Sequence, residues 1–238
     1  MSLRWSACTA TDVGKVRKVN EDSHLDRPDL GLWVVADGMG GHAAGDVASK
    51  MVVEILAGLP ADGSLTKVAE ELEQRLEKAN TDLVQLAKDS RKKTIGCTVV
   101  AMCVRGNHAL VAWAGDSRLY RARNGQFECL TQDHALVEEL VTVGLLTREE
   151  AEKHPQANRI TRAIGAGEPL FVDFEIYEVK AGDRFLMCSD GLYKEMSDKD
   201  IGALLIGSNG GDPAKAAVAV ALEKGGRDNV TVVTVEAN

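Results

Sequence analysis

Five acidic residues, Asp22, Asp37, Asp116, Asp190 and Asp228, lie far apart in the chain yet share one local setting. Each stands at or beside the end of a strand-like run, in Asn20-Glu21-Asp22, Asp37-Gly38-Met39-Gly40-Gly41, Gly115-Asp116-Ser117-Arg118, Ser189-Asp190-Gly191 and Arg227-Asp228-Asn229. Taken singly, an Asp in such a place builds a turn, because its carboxylate bonds the nearby backbone. Asp37 and Asp190 demand more. They directly follow the apolar runs Leu32 to Ala36 and Phe185 to Ser189, where a charge at the mouth of a core is costly unless it is paired or bound to metal. Lys and Arg are scarce beside most of these turns. Carboxylates, water and a backbone carbonyl that Gly38 leaves open to close approach form the oxygen ligand set favoured by Mg²⁺ or Mn²⁺.

Other chemistries are poorly served. His24, His42, His108, His134 and His154 form no H-x-H or H-E-x-x-H pair, and the cysteines form no C-x-x-C, so the zinc spacings are missing. Cys8, Cys97, Cys103, Cys129 and Cys188 are odd in number and mostly in apolar surroundings, which fits free thiols in a reducing compartment. None is followed six positions later by Arg, so the cysteine-thiolate phosphatase loop is absent. Ser117 and Ser189 lack a G-x-S-x-G elbow and a His partner. Gly38-x-Gly40-x-x-Ala43 follows a strand and opens a helix, with Glu54 at a tolerable distance for a ribose contact, as a dinucleotide fingerprint would. Asp37 would then face the pyrophosphate and repel it, and the antiparallel signals downstream oppose a parallel dinucleotide-binding sheet.

The elements that must position these residues follow from periodicity. Leu32 to Ala36 reads as a buried strand. Ala44, Val47, Ala48, Met51, Val52, Ile55, Leu56 and Leu59 recur at helical steps, as do Leu65, Val68, Ala69, Leu72, Leu76, Ala79, Leu83 and Leu86 in a longer amphipathic helix. Strands are expected at Thr98 to Val104, Ala109 to Ala114, Arg118 to Ala122 and Gln126 to Leu130, with Asn124-Gly125 as a hairpin turn. Such short turns join antiparallel strands. Further strands are expected at Phe171 to Val179, Arg184 to Cys188 and Val230 to Val235. Helices are expected at Asp198 to Leu205 and at Pro213 to Glu223, the latter with Pro in its first turn. Helices before and after a mainly antiparallel run imply packed sheets covered by helices, an α+β fold. His134 to Arg162 holds two short helical patterns and is long for a connector, so it reads as a flap beside a site or as a plain helical hairpin.

Composition sets the class. The 238 residues are 45% hydrophobic and only 4% aromatic, enough for a core built from Leu, Val, Ile and Ala. No linker or repeat divides them, which predicts one domain over 1–238. The net charge of -8 and the lack of a basic tract argue against nucleic acid. No stretch approaches the roughly 18 apolar residues of a membrane span, and Met1 to Gly14 has no apolar signal region, so the chain reads as cytosolic and away from membranes. Monomer is the default expectation.

Taken together, the motifs resemble the metal-dependent serine/threonine protein phosphatases of the PP2C type in their compact bacterial form. The match runs in family order from Arg17 to Val235. It takes in Val16-Arg17-Lys18-Val19-Asn20-Glu21-Asp22, Ala36-Asp37-Gly38-Met39-Gly40-Gly41-His42, Gly45-Asp46-Val47-Ala48-Ser49 and Thr94-Ile95-Gly96-Cys97-Thr98. It continues through Ala114-Gly115-Asp116-Ser117-Arg118-Leu119-Tyr120, Leu130-Thr131-Gln132-Asp133-His134 and Ile160-Thr161-Arg162-Ala163-Ile164-Gly165. It closes on Cys188-Ser189-Asp190-Gly191-Leu192 and Gly226-Arg227-Asp228-Asn229-Val230-Thr231.

The resemblance implies a four-layer αββα sandwich of two mainly antiparallel sheets, with two Mn²⁺ or Mg²⁺ ions at one end. By position, Asp37 would bridge both ions, the Gly38 carbonyl would hold one, and Asp190 and Asp228 the other. Glu21 and Asp22 match positions that hold metals directly or through water. Asp116 and Asp190 match the ligands of a third, weaker metal in bacterial members. Arg17 matches the arginine that grips the substrate phosphate. Eukaryotic members carry a His directly after Asp-Gly as the proposed general acid; Met39 stands there in this chain, with His42 three residues on. The implied partners are phosphorylated proteins, a serine/threonine kinase and its substrates. Two other readings stay open: a phosphopeptide-binding pseudophosphatase without turnover, and a hydrolase of small phosphorylated metabolites on the same scaffold.

Overall fold

In the computed structural model, which describes residues 3–40, 44–207 and 211–238, the first half runs β1 (Trp5–Asp12), β2 (Asp22–Arg27), β3 (Leu32–Met39), α1 (Ala44–Ala57), α2 (Leu65–Asp89), β4 (Gly96–Cys97), β5 (Val99–Arg105), β6 (His108–Ala114), β7 (Arg118–Arg123) and β8 (Gln126–Cys129). The second half runs α3 (Leu136–Thr142), α4 (Arg148–Glu152), β9 (Asp173–Glu178), β10 (Arg184–Cys188), α5 (Asp190–Tyr193), α6 (Asp198–Gly207), α7 (Pro213–Lys224) and β11 (Val230–Ala237). One sheet has the order β1-β11-β10-β7-β8 and the other β2-β3-β5-β6-β9, with β4 paired to β3. Each of these pairings is antiparallel. That pattern excludes the parallel dinucleotide-binding sheet.

Strand side chains alternate between faces, and here the alternation builds three apolar layers. Trp33, Val35, Val100, Met102 and Val111 of one sheet meet Leu119, Phe185, Met187, Val233 and Val235 of the other. The opposite faces carry Leu32, Val34, Ala36, Ala101 and Leu110, which pack on α1 and α2 through Val52, Leu56, Leu72, Leu76 and Leu83. Tyr120, Leu186, Cys188, Val230 and Val232 pack on Ile201, Leu205, Ala217 and Ala221 of α6 and α7. The result is the expected αββα sandwich. Asn124 and Gly125 take φ values of 51° and 78°, the left-handed pair that a tight hairpin turn needs.

Three strands escaped the sequence reading: β1, β2 and the two-residue β4. β1 (WSACTATD) and β2 (DSHLDR) lack apolar alternation, and each is an edge strand, so neither has to bury a full face. Val47, counted within the periodic stripe of α1, is 46% exposed. The buried line in that helix runs Ala44, Ala48, Val52 and Leu56 at four-residue steps, with Val47 on its flank. The segment 134–162 folds as α3 and α4 around a small core of its own, Ala135, Val137 and Ala151. Among the described residues no helix is long and apolar enough to cross a membrane.

Asn80 stitches α2 to the chain leaving that segment. Buried at 3% exposure, its Oδ1 accepts from Gly165 N at 2.7 Å and its Nδ2 donates to Gly167 O at 2.9 Å. Asn80→Ala leaves both backbone groups without a partner and should cost about 1–3 kcal/mol in urea unfolding. Val47→Ala in the preceding helix should stay within about 0.5 kcal/mol. Equal effects would contradict this assignment of buried and exposed helix positions.

Candidate functional site

The antiparallel registers bring the five acidic residues to one end of the sandwich. Asp22 opens β2 directly opposite Asp37 near the end of β3. Asp37 continues the odd-numbered face of β3 that Trp33 and Val35 bury between the sheets, so it points into the mouth of the inter-sheet layer. Asp116 lies in the turn that carries the chain from β6 of one sheet to β7 of the other. Asp190 follows β10, and Asp228 precedes β11. Like charges directly opposite on paired strands destabilise a sheet, so the Asp22–Asp37 pair is held by the surrounding structure.

Buried hydroxyls and amides do that holding. Ser189 Oγ donates to Asp22 Oδ2 at 2.7 Å and accepts from Thr231 N at 3.0 Å, bridging the two sheets. Thr98 N donates to Asp37 O at 2.8 Å. Thr98 Oγ1 accepts from Asp37 N at 3.3 Å and shares a hydrogen bond with Ser117 Oγ at 2.8 Å, which links the Asp37 strand to the Asp116 turn. Asn229 Oδ1 accepts from Glu21 N, and Asn229 Nδ2 donates to the carbonyls of Val13 and Val19. That anchors the loop carrying Arg17 and Glu21 to the start of β11. Glu21 accepts from Gly38 N through its carbonyl and from Gly45 N through Oε1. A Cβ on Gly38 would lie 1.9 Å from Gly45 O, and one on Gly45 would lie 2.5 Å from Gly38 O. Both positions therefore require glycine.

The carboxylates crowd one another electrostatically. Burial, reinforced by Asp22, Asp190, Asp116 and Asp228, pushes Asp37 well above the usual carboxylate range. Burial also pushes Asp22 up to about 7, against the hydrogen bonds of Ser189 and Thr231, and Asp116 up to about 6, against Lys194 and Tyr193. Tyr193 Oη donates to Asp116 Oδ2 at 3.1 Å. Two cations serve the cluster although the turn sequences hold few: Lys194 Nζ bonds Asp190 Oδ2 from one helical turn on, and Arg17 Nη2 bonds Asp228 Oδ2 at 2.7 Å from the N-terminal loop. Burial opposes charge on Lys194, but Asp190, Asp116 and Asp37 outweigh it and raise its pKa.

The donor set fits Mn²⁺ or Mg²⁺. It is all oxygen, it includes Asp22 Oδ1, a buried carboxylate atom with no hydrogen-bond partner, and burial and neighbouring carboxylates raise Asp22, Asp37 and Asp116 as they do groups lacking countercharge. Among the described residues, three such side chains do not close on one point as a finished cage; Asp190 and Asp228 are turned to Lys194 and Arg17. All the sequence-expected residues, Arg17, Glu21, Asp22, Asp37, Gly38, Asp116, Asp190 and Asp228, lie in or at the rim of this cleft. His42 lies outside the described residues. Sequence reasoning assigned no role to Ser189, Thr98, Asn229, Tyr193 and Lys194, although Thr98, Ser189 and Asn229 stand inside the quoted motifs.

The family described as protein phosphatase 2C matches residues 15–208. Protein phosphatase PhpP of Streptococcus pneumoniae is 37% identical over 235 residues, covering 96% of this chain and 96% of that protein. Among solved structures, PppA of Pseudomonas aeruginosa, a key regulatory component of T6SS, superposes with a TM-score of 0.92 at 40% identity over 100% of this chain and 99% of its own. The catalytic domain of the serine/threonine phosphatase PstP, in complex with two manganese ions, gives a TM-score of 0.89 at 34% identity and 99% coverage of both chains.

The crowding has a measurable consequence in chelator-treated protein. Asp37→Asn removes the most strongly opposed charge, and its side chain makes no hydrogen bond among those described. The substitution should raise the melting temperature by roughly 2–4 °C, the equivalent of about 1 kcal/mol for a chain of this size, and should remove most of the further rise produced by Mn²⁺ in the unmodified chain. A lower melting temperature in chelator would show that Asp37 is stabilised where it stands.

Proposed function

The chain belongs to the protein phosphatase 2C family, and we propose that it hydrolyses phosphoserine and phosphothreonine esters of proteins with two Mn²⁺ or Mg²⁺ ions held between Glu21, Asp22, Asp37, Gly38, Asp190 and Asp228. The observation that carries this reading is the convergence of Asp22, Asp37, Asp116, Asp190 and Asp228 on one cleft, where burial and the neighbouring carboxylates lift the pKa of Asp22, Asp37 and Asp116. In this assignment Asp37, the Gly38 carbonyl, Asp190 and Asp228 would hold the two ions. Glu21 and Asp22 act directly or through water, and Asp116 with Asp190 serves a third, weaker site. When bound, such ions supply Lewis acidity and lower the pKa of a water to near neutrality.

The chain's own residues do the rest. Arg17 is half exposed at the rim, so its guanidinium can turn from Asp228 to grip two phosphate oxygens as a bidentate fork. The hydrogen bonds of Ser189, Thr98 and Asn229 fix where the carboxylates stand, so their cost of ordering is met during folding. A cavity of about 960 Å³ leads away from Asp116 and Lys194 past Asp133, Met196 and Asp198 to Glu138 and Arg148 under the 134–162 segment. A sugar phosphate would leave most of it unfilled. An extended polypeptide would not, which supports a protein substrate and a flap role for that segment.

Purified protein with Mn²⁺ should cleave p-nitrophenyl phosphate and a phosphothreonine peptide, and chelator should abolish both. Asp37→Asn and Asp190→Asn should each nearly abolish turnover while the fold is kept. No turnover on either substrate would favour the pseudophosphatase reading, and a preference for sugar phosphates or nucleotides over phosphopeptides would favour the metabolite hydrolase. Arg17→Ala should lower kcat/KM by about 10- to 100-fold, mostly through KM, as expected from losing a charge-assisted contact of about 1.5–3 kcal/mol. An unchanged KM would remove Arg17 from phosphate binding.

A further inference from the structure

His134 is buried at 6% exposure and belongs to none of the roles above, yet both backbone groups of Gly115 are bonded to it. His134 N donates to Gly115 O at 2.9 Å. Gly115 N reaches His134 Nδ1 at 3.2 Å. A backbone N–H can only donate, so Nδ1 accepts and the ring proton sits on Nε2, which lies 3.2 Å from Asp173 Oδ2. Burial keeps the imidazole below its ordinary pKa, against the pull of Asp173, as a neutral acceptor requires. The ring stacks on Trp113, with centroids 6.0 Å apart and planes at 16°, and Trp113 Nε1 in turn donates to Gln132 O at 2.9 Å.

Gly115 lies close against Thr98. It sits at φ +114°, and a Cβ there would lie 2.6 Å from Thr98 Cβ. The turn that presents Asp116 is therefore gripped between Thr98 on one side and His134 on the other. The same histidine is the hinge of the 134–162 segment. Its carbonyl accepts from Thr161 N at 2.8 Å, Leu136 N donates to Arg159 O at 2.9 Å, and Arg162 Nη1 donates to Asp173 Oδ1 at 2.7 Å. Both ends of the segment thus meet at the carboxylate that fixes the imidazole tautomer.

We propose that His134 is a positioning residue, whose imidazole, fixed between Gly115 and Asp173, holds the turn presenting Asp116 and ties that turn to the hinge of the 134–162 segment. The inference rests on the reading of Asp116 as a ligand of the weaker metal site. Partners that orient ligands, without being ligands themselves, commonly carry about 10- to 100-fold in metal affinity.

Two substitutions separate the ring's two ends. His134→Asn places a carbonyl oxygen where Nδ1 stands and keeps the acceptor for Gly115 N. His134→Gln reaches toward Asp173 but leaves that N–H without its partner. Mn²⁺ binding is read by calorimetry, the Mn²⁺ requirement by turnover of p-nitrophenyl phosphate, and stability by melting in chelator. The weakest Mn²⁺ event should weaken about 10-fold or more in His134→Gln and by no more than about 3-fold in His134→Asn. Asp116→Asn should reproduce the Gln result, and the double variant should add nothing to Asp116→Asn, because the two residues act through one ligand. Asp173→Ala, at a half-exposed carboxylate, tests the same chain should a His134 variant fail to fold; it should give a smaller shift in the same direction. Unchanged Mn²⁺ dependence in His134→Gln and Asp173→Ala, or additive effects in the double variant, would overturn the proposal while leaving Asp116 a ligand. Unchanged Mn²⁺ binding in Asp116→Asn would overturn both.

Discussion

A directly opposed pair of carboxylates, Asp22 across from Asp37 on adjacent antiparallel strands, is the constraint on which the rest of the site depends. A sheet left to its own energetics would not choose that pairing. It survives because the register of β3 against β5 is set by apolar faces on both sides of the sheet, through Leu32, Val34 and Ala36 toward the helices and Trp33 and Val35 toward the other sheet, while Ser189 holds the Asp22 end of β2 to the other sheet. Slipping β3 by one residue would turn every one of these side chains to the wrong layer. Core packing therefore forces together two charges that repel, and the buried hydroxyls of Ser189 and Thr98 keep them oriented once there. The order of cause runs from hydrophobic alternation to register, from register to charge crowding, and from crowding to an affinity for cations.

What the sequence disclosed follows from the same physics. The strands that bury two faces, β3, β5, β6, β10 and β11, announced themselves as apolar runs, and α2 by a sustained helical period. β1 and β2 did not, because an edge strand half covered by neighbours needs no apolar alternation, and Trp5–Asp12 and Asp22–Arg27 have little. The ligand candidates were legible because a carboxylate at the end of a buried run has few inexpensive explanations. Their supports were not. Ser189, Thr98 and Asn229 act over sequence separations of 167, 61 and 208 residues, and no local pattern marks a hydroxyl or an amide as the partner of a group so distant. Lys194 sits one helical turn beyond Asp190, a spacing readable only once α5 is known to be helical.

The 134–162 segment shows how a small unit can be mechanically separate and still electrostatically joined to the site. Its own core is Ala135, Val137 and Ala151, far smaller than the three sandwich layers, and such units belong to the low-stability end of a fold. Its two ends are pinned at His134 and Arg162 on Asp173 of β9, an edge strand. The His134 ring lies buried against Trp113 and Gly115, so movement of the segment as a body would act first on that ring and on the Asp116 turn. Asp22, tied through Ser189 to β10 and β11, lies outside that path, whereas Asp37 meets it at Thr98, whose hydroxyl bonds Ser117 beside Asp116.

Six carboxylates, Glu21, Asp22, Asp37, Asp116, Asp190 and Asp228, face two cationic side chains, Arg17 and Lys194. A phosphate ester arriving at such an acidic cleft brings further negative charge and needs a cation free to meet it. Arg17 suits that task better than Lys194. Its pair with Asp228 is 53% exposed on the arginine side, and exposed ion pairs are worth about 0–1 kcal/mol, so exchanging Asp228 for phosphate costs little. Lys194 is more enclosed and is raised by three carboxylates at once, which ties it to the cluster. The two cations thus divide the work: one stays with the carboxylates, and the other can be lent to the substrate.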